Sequence, residues 1–214
     1  MIRRHVLRAL WACVLALGFA STARAQSTLI DLRPADISSD GDVTYQNFIF
    51  SHLFVDGKVI VDALFLHVPG FDYPDYKEVS AGAGYRVLKY GGLTIYGLTN
   101  FAKATDVTWF QPASLLTFVS GKWSANAFGQ RYVSLTEDYP SAWLLDPAEI
   151  QYKIAGPFAL GVSGYIFAQD DTPALKKFGP KFSVADKYGA TELRTARVNQ
   201  GAKWEFQLRR IFLF

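Results

Sequence analysis

The last eleven residues alternate between apolar and polar side chains, and this pattern limits the folds available to the chain. Trp204, Phe206, Leu208, Phe212 and Phe214 share one face of an extended strand, and Lys203, Glu205, Gln207 and Arg209 share the other. Successive side chains of a strand point to opposite sides, so this strand has one apolar and one polar face. Such a strand suits a soluble sheet with a covered apolar face. It also suits a barrel whose apolar face meets lipid and whose polar face meets a wet interior.

The chain ends on an aromatic residue, Phe214, at the close of this strand. Gln207, Phe212 and Phe214 resemble the C-terminal assembly signal of bacterial outer-membrane β-barrel proteins, in which a polar residue, a glycine and two aromatics precede a final Phe. Arg209 stands where the glycine usually sits. The resemblance implies a small outer-membrane barrel that engages the outer-membrane assembly machinery through Trp204 to Phe214. It identifies no subfamily.

The first 25 residues predict a secretory signal peptide. A basic start is followed by the apolar run Ala9–Ala20 and by Ala23-Arg24-Ala25, which has the small-x-small pattern of a cleavage site. The apolar run is too short to span a bilayer as a helix. Cys13 lies inside that run, too early for a lipoprotein cysteine. We therefore expect export, with residues 26–214 as a single mature domain.

The mature part is nearly neutral and contains no cysteine. The first 25 residues hold four of the 22 Lys and Arg residues and none of the 19 Asp and Glu residues, which leaves 18 basic against 19 acidic side chains. The basic overall composition therefore gives no argument for nucleic acid binding. Disulfides and thiolate metal sites are excluded. No apolar stretch after residue 25 has the length of a transmembrane helix, so any crossing of a membrane must use strands.

Most of the mature part consists of extended segments separated by turn residues. The predicted strands are Val43–Val55, Val59–His67, Glu78–Leu88, Leu93–Phe101, Val107–Val119, Trp123–Leu135, Glu149–Ile154, Phe158–Ala168, Lys181–Asp186, Thr191–Val198 and Lys203–Leu213. With the short segment Thr28–Leu32 they make about twelve strands, with ten or eight as alternatives. His52 shares a face with Phe48, Phe50 and Phe54, so we make no prediction of which way Val43–Val55 faces.

The connections alternate in length along the chain. Glycine-containing short turns are predicted at residues 56–58, 90–92, 120–122, 155–157 and 188–190, and mostly longer connections at 69–77, 137–148 and 169–180. Outer-membrane barrels have short periplasmic turns and longer outer loops. We therefore predict an all-β, antiparallel transmembrane β-barrel in the outer membrane, in contact with membrane lipid and lipopolysaccharide. Thr28–Leu32 supplies the extra strand required if both ends are periplasmic.

No catalytic, cofactor or metal site is predicted. The mature part contains only two histidines, His52 and His67. His67 precedes a predicted loop with Asp72 and Asp75, which leaves a rim hydrolase as a minor alternative. The acidic pairs in the other predicted loops lack the spacing of a loop that wraps one cation.

The predicted inward face carries charged and polar side chains. The candidate lumen-lining residues are Arg86, Glu149, Gln151, Lys153, Ser163, Tyr165, Lys203, Glu205, Gln207 and Arg209. Opposite charges there either pair and plug a narrow barrel or line a water-filled passage that selects solutes. Barrels of about eight strands are filled by side chains, whereas wider ones leave a channel, so the strand number bears on the choice.

The leading functional hypothesis is a narrow channel through which small polar solutes diffuse across the outer membrane. In plan the chain resembles the small monomeric channels of the nucleoside-specific and oligosaccharide-specific types, and this resemblance implies about twelve strands. The alternative is a structural or adhesive barrel with a plugged interior and acidic outer loops that bind a partner. The rival at the level of the fold is a soluble periplasmic barrel that binds a small hydrophobic ligand.

Overall fold

A computed structural model describes residues 26–41, 43–69, 76–170, 172–199 and 203–214. The predicted signal peptide, Asp72, Asp75 and Asp171 lie outside these ranges. The strands are β1 Gln26–Ser38, β2 Val43–Val55, β3 Val59–Val68, β4 Tyr76–Tyr90, β5 Leu93–Ala104, β6 Thr108–Ser120, β7 Trp123–Ser134, β8 Ala142–Ala155, β9 Phe158–Gln169, β10 Leu175–Asp186, β11 Gly189–Val198 and β12 Trp204–Leu213. The described part of the chain contains no helix that is long and apolar enough to cross a membrane.

The twelve strands form one closed antiparallel barrel in which consecutive strands pair and β1 pairs with β12. At the junction, the Thr28 amide donates to the Phe214 carbonyl at 2.9 Å, and the Phe214 amide donates back at 3.0 Å. Closure removes the unpaired edges that an open sheet would present. The prediction of an antiparallel barrel of about twelve strands is confirmed, and the alternatives of ten and eight strands are wrong.

The two ends of the barrel differ in the length of their connections. One end, here called the turn end, has tight turns at residues 56–58, 91–92, 121–122, 156–157 and 187–188. The other, here called the loop end, has mostly longer connections, with the three-residue connection 105–107 as an exception. Asp56 and Gly57 both have positive φ, 50° and 59°, as the two central residues of a type I′ turn require. The predicted separation of short turns from longer loops is confirmed.

Several strands extend further toward the loop end than the sequence predicts. β8 begins at Ala142 instead of Glu149, and β10 begins at Leu175 instead of Lys181. Pro147 falls in a predicted loop, whereas the structure places it inside β8, where the register shifts. Proline lacks an amide hydrogen, and a bulge is one of the few positions in a strand that tolerates this loss.

The outward surface of the barrel is apolar. In the C-terminal strand, Trp204, Phe206 and Leu208 are 43%, 41% and 53% exposed, and no second layer of described residues covers them. Phe101 and Trp143 are 58% and 56% exposed on other strands. A continuous apolar belt of this kind is the surface expected of a barrel in a bilayer and is unusual for a soluble monomer.

Gly82 in β4 allows β4 and β5 to approach each other closely. A Cβ atom at this position would lie 2.3 Å from the Thr99 carbonyl oxygen. We predict that Gly82→Val lowers the free energy of unfolding by about 1–3 kcal/mol because the backbone must move. Ala83→Val, on the exposed face of the same strand, is the matched control and should change it little. Denaturant titration in detergent micelles measures both, and equal effects would contradict the prediction.

Candidate functional site

Charged side chains from five strands meet inside the barrel. They form what we call the central charge cluster: Asp31, Arg33, Asp146, Glu149, Lys181, Glu192, Arg194 and Arg209. Their side chains are only 1–11% exposed. Four are acidic and four basic, so the formal charges of the cluster cancel. Buried charges are tolerated when each one is paired and hydrogen-bonded, and this cluster meets that condition.

Arg209, on β12, contacts three carboxylates of the cluster. Its Nε donates to Oδ1 of Asp31 at 2.7 Å. Its Nη1 donates to Oε1 of Glu149 at 3.1 Å and to Oε2 of Glu192 at 3.0 Å. The partners lie on β1, β8 and β11. A guanidinium presents five N–H groups in one plane, so a single arginine can join three strands.

Glu149, on β8, is the carboxylate with the most partners. It accepts hydrogen bonds from Nζ of Lys181 at 2.6 Å and from Nη2 of Arg194 at 3.0 Å. Nδ2 of Asn126 donates to it at 2.8 Å, and the contact with Arg209 is the fourth. A carboxylate has about four lone-pair positions, so Glu149 is fully satisfied.

The charge cluster joins strands that are not neighbours in the barrel wall. β8 and β12 are separated around the ring by β9, β10 and β11, so the contact between Glu149 and Arg209 crosses the interior. Asp146 of β8 is ion-paired in the same way with Arg33 of β1. These bonds therefore narrow the barrel at the level of the cluster.

The opposite side of the interior is mostly apolar, although Glu78 and Gln111 are also buried there. Its core is a cluster of side chains from β2, β3, β5, β6 and β7: Phe50, Ile60, Tyr96, Leu98, Leu115 and Phe128. The rings of Phe50 and Phe128 meet edge to face with centroids 5.2 Å apart. This packing determines the facing of Val43–Val55: Phe50 and His52 are buried inside, while Ile49 is 41% exposed outside.

A small polar group is embedded in this apolar half. Nδ1 of His52 lies 2.6 Å from Oδ1 of Asp62, and Nδ2 of Asn100 donates to Oδ2 of Asp62 at 3.4 Å. The His52 ring is 4.3 Å from the Phe50 ring between centroids, and all three polar residues are at most 5% exposed. The carboxylate orients the imidazole, as in other buried His–Asp pairs.

A cavity of about 300 Å³ opens between the charge cluster and the loop end. We call it the outer cavity. Arg33, Asp146 and Arg194 of the cluster form its inner end. Toward the loop end, Nζ of Lys177 pairs with Glu205 at 2.6 Å. The outer cavity is therefore lined by both signs of charge and closed toward the turn end by paired side chains.

Six of the candidate residues predicted from the sequence lie together around this region. Glu149 and Arg209 belong to the charge cluster, and Ser163, Tyr165, Glu205 and Gln207 line the outer cavity. Gln207 donates from Nε2 to Oδ1 of Asp36 at 2.6 Å.

The other four candidates lie elsewhere. Gln151 accepts a hydrogen bond from Ser183 at 3.2 Å on the turn-end side of the cluster. Arg86 donates to the Gly57 carbonyl at 2.9 Å, at the turn end, and Lys153 is exposed near the same end. Lys203 pairs with Asp40 at the loop end. Hydrogen bonds from Lys203 and Ser38 lower the pKa of Asp40 to about 2.

Six members of the charge cluster are missing from the sequence-based candidates: Asp31, Arg33, Asp146, Lys181, Glu192 and Arg194. A signal for some of them exists. Asp31 and Arg33 flank Leu32, and Glu192 and Arg194 flank Leu193, which is the alternation of an amphipathic strand. Asp146 carries no such signal because it precedes Pro147 in a segment that the sequence predicts as loop.

The described residues give little support for catalysis or metal binding. No group of three or more His, Cys, Asp or Glu side chains among them is placed to hold a metal ion. The predicted aspartate partners of His67 lie outside the described residues. The His–Asp pair that the structure does contain is the interior pair of His52 and Asp62.

No protein-family model and no curated protein matches the sequence. Solved structures match the fold. The KdgM porin has a TM-score of 0.62 and 11% identity over 87% of this chain and 99% of its own, and a second structure holds it in complex with disordered oligogalacturonate. The NanC porin has a TM-score of 0.57 and 7% identity over 89% and 100%. The COG4313 outer membrane channel from Pseudomonas putida F1 has a TM-score of 0.56 and 11% identity over 90% and 96%. The chain therefore has the fold of these barrels.

The charge balance of the cluster leads to a prediction about stability. Glu149→Gln keeps the size of the side chain but leaves Lys181, Arg194 and Arg209 with one carboxylate fewer. We expect a loss of about 3–5 kcal/mol in the free energy of unfolding, as for other broken buried ion pairs. Chemical unfolding in micelles gives this value.

The matched control is Asp170→Asn at the exposed pair with Arg131, where the Asp170 side chain is 51% exposed. Removing this charge should cost under about 1 kcal/mol. A Glu149→Gln loss no larger than that of the control would show that the cluster does not stabilise the barrel.

Proposed function

We propose that residues 26–214 form a single outer-membrane barrel that acts as a narrow channel for small polar solutes. The observation that carries this proposal is the polar outer cavity, which ends on hydrogen-bonded charges inside a twelve-strand barrel. A twelve-strand barrel is wider than the eight-strand barrels whose interior is filled by side chains. The porins and the outer membrane channel that share its fold support the same conclusion.

The proposed orientation puts the turn end in the periplasm and the loop end outside the cell. Short periplasmic turns and longer outer loops are the rule for such barrels. Removal of the predicted signal peptide, residues 1–25, would leave both chain ends on the periplasmic side. The segment Trp204 to Phe214 would then be read by the assembly machinery before the apolar belt contacts membrane lipid and lipopolysaccharide.

Selection in this channel would occur where the outer cavity meets the charge cluster. Nε of Arg194 is buried and has no hydrogen-bond partner among the described residues. The Arg194 side chain lines the inner end of the cavity, so its guanidinium is the donor that we expect an oxygen of an entering solute to meet. The KdgM structure with oligogalacturonate supports an oxygen-rich solute as the class of cargo for this fold. The route would be lined by Glu149, Ser163, Tyr165 and Arg209.

The second candidate is the barrel with a plugged interior, whose acidic outer loops bind a partner. It is favoured by the balance of four acidic and four basic buried charges, which lets the cluster persist as a permanent plug. We do not propose an enzyme, because the porins that share the fold and the contacts of the described residues give no support for catalysis.

Single-channel recording in planar bilayers tests the proposal. We predict a small but measurable conductance for the wild-type protein. The double variant Glu192→Ala/Arg194→Ala removes one charge of each sign from the cluster and two long side chains of β11. It should increase the conductance several-fold because the narrowest part of the route widens.

Leu193→Ala is the control, since Leu193 lies between these two residues and is 46% exposed on the outward face. It should leave the conductance unchanged. A silent wild type with a conducting double variant would establish the plugged barrel instead. Silence of all three folded proteins would refute the channel.

A further prediction concerns ion selectivity. Lys177 lines the outer cavity, and Lys176, the preceding residue, is exposed on the outside of the barrel. We predict that Lys177→Glu shifts the reversal potential in a salt gradient toward cation preference, because the cavity loses one positive charge and gains one negative charge. Lys176→Glu is the matched control and should have a much smaller effect. Equal shifts would mean that ions do not pass through the outer cavity.

A further inference from the structure

Two basic side chains lie next to each other on the outward surface near the loop end. Lys176 is on β10 and Arg197 is on β11, and both are exposed. Phe178 is the registered partner of Arg197, so Lys176 is its diagonal neighbour on the same face. Together with Phe178 they border a groove of about 440 Å³ in the outer wall. Diagonal neighbours of antiparallel strands are close enough for long side chains to reach one ligand.

Neither cation is neutralised by a carboxylate of the described residues. Ion pairs do form at the other outward-facing arginines. Arg131 pairs with Asp170 at 3.3 Å, and Arg210 pairs with Asp186 at 2.8 Å. Lys176 and Arg197 also face outward, and neither forms an ion pair within the described ranges. The groove is therefore a local site of positive charge.

The position of Lys176 and Arg197 along the barrel axis indicates which part of the membrane they contact. Arg197 is the registered partner of Trp204, which is 43% exposed on the outward surface. Lys176 is the registered partner of Ile166, which is 38% exposed. Exposed tryptophans of membrane proteins lie at the level of the lipid headgroups. The two cations thus lie at the border between the apolar belt and the headgroups.

The backbone around the groove is held in place by Asn199. Its Oδ1 accepts from the Lys176 amide at 2.7 Å, and its Nδ2 donates to the Ala174 carbonyl at 2.9 Å. These bonds tie the end of β11 to the start of β10 and fix the positions from which both basic side chains extend. A fixed backbone lowers part of the entropic cost of bringing the two side chains onto one anion.

We infer that Lys176 and Arg197 bind a phosphate group of an outer-leaflet glycolipid of the lipid A type, whose acyl chain packs on Phe178. Arginine matches phosphate oxygens with paired N–H donors, and lysine adds a point charge. Charge complementarity at headgroup level favours a lipid phosphate over a carboxylate of a soluble partner. This inference rests on the proposed outer-membrane location and adds a lipid site to it.

Native mass spectrometry of the folded, delipidated barrel in detergent tests the site. The probes are bisphosphorylated lipid A and its dephosphorylated form. We expect the wild-type protein to prefer the phosphorylated lipid by about tenfold and the double variant Lys176→Ala/Arg197→Ala to lose that preference. Arg131→Ala removes an outward-facing arginine that Asp170 already neutralises, so it should keep the preference. Lys176→Arg should also keep it.

Two outcomes would overturn the inference: equal binding of the two lipids by the wild-type protein, or an unchanged preference in the double variant. Full competition by millimolar inorganic phosphate would likewise refute a lipid site in favour of a free-anion site. The same preparations are recorded in planar bilayers. A wild-type protein that conducts normally but binds both lipids equally refutes the lipid site alone, and a silent wild type that prefers the phosphorylated lipid refutes the channel alone.

Discussion

The pairing of the first strand with the last is the constraint on which the structure depends. Backbone bonds between Thr28 and Phe214 close the ring, so every strand has two neighbours. In hydrocarbon an unpaired backbone amide costs several kcal/mol, and closure is the only way for strands to avoid that cost. Closure also creates two separate surfaces. The outward one is free to be apolar, while the enclosed one can hold charges that a bilayer would reject.

The enclosed surface is itself divided. An apolar cluster from β2, β3, β5, β6 and β7 packs on one side, and eight balanced charges from β1, β8, β10, β11 and β12 lie on the other. Because side chains occupy both sides of the interior, the open space inside the barrel is narrower than twelve strands alone would suggest. It also separates two kinds of interior. The apolar half is packed against Phe128, whereas the charged half offers donors and acceptors that a solute or water can replace one at a time.

Much of the fold follows from the sequence, but little of the interior does. Trp204 and Phe206 alternate with Glu205, so one face of this strand is apolar and the other is polar. The alternation therefore predicts an apolar outward surface. The same reasoning fails for β2, because the barrel interior is apolar there and both faces carry hydrophobic residues. The charge cluster could not be predicted from the sequence for a different reason. The partners Arg33 and Asp146 are 113 residues apart, and only the curvature of the closed wall brings them together.

The ion pair between Asp31 and Arg209 links residues 178 positions apart, on the first and last strands. Before the ring closes, Asp31 has Arg33 of its own strand as a partner but lacks the contact with Arg209, so its charge is less well compensated than in the closed barrel. A partly inserted open sheet is therefore penalised electrostatically as well as through its edges. We therefore expect the two terminal strands to pair before β1 and β12 leave water.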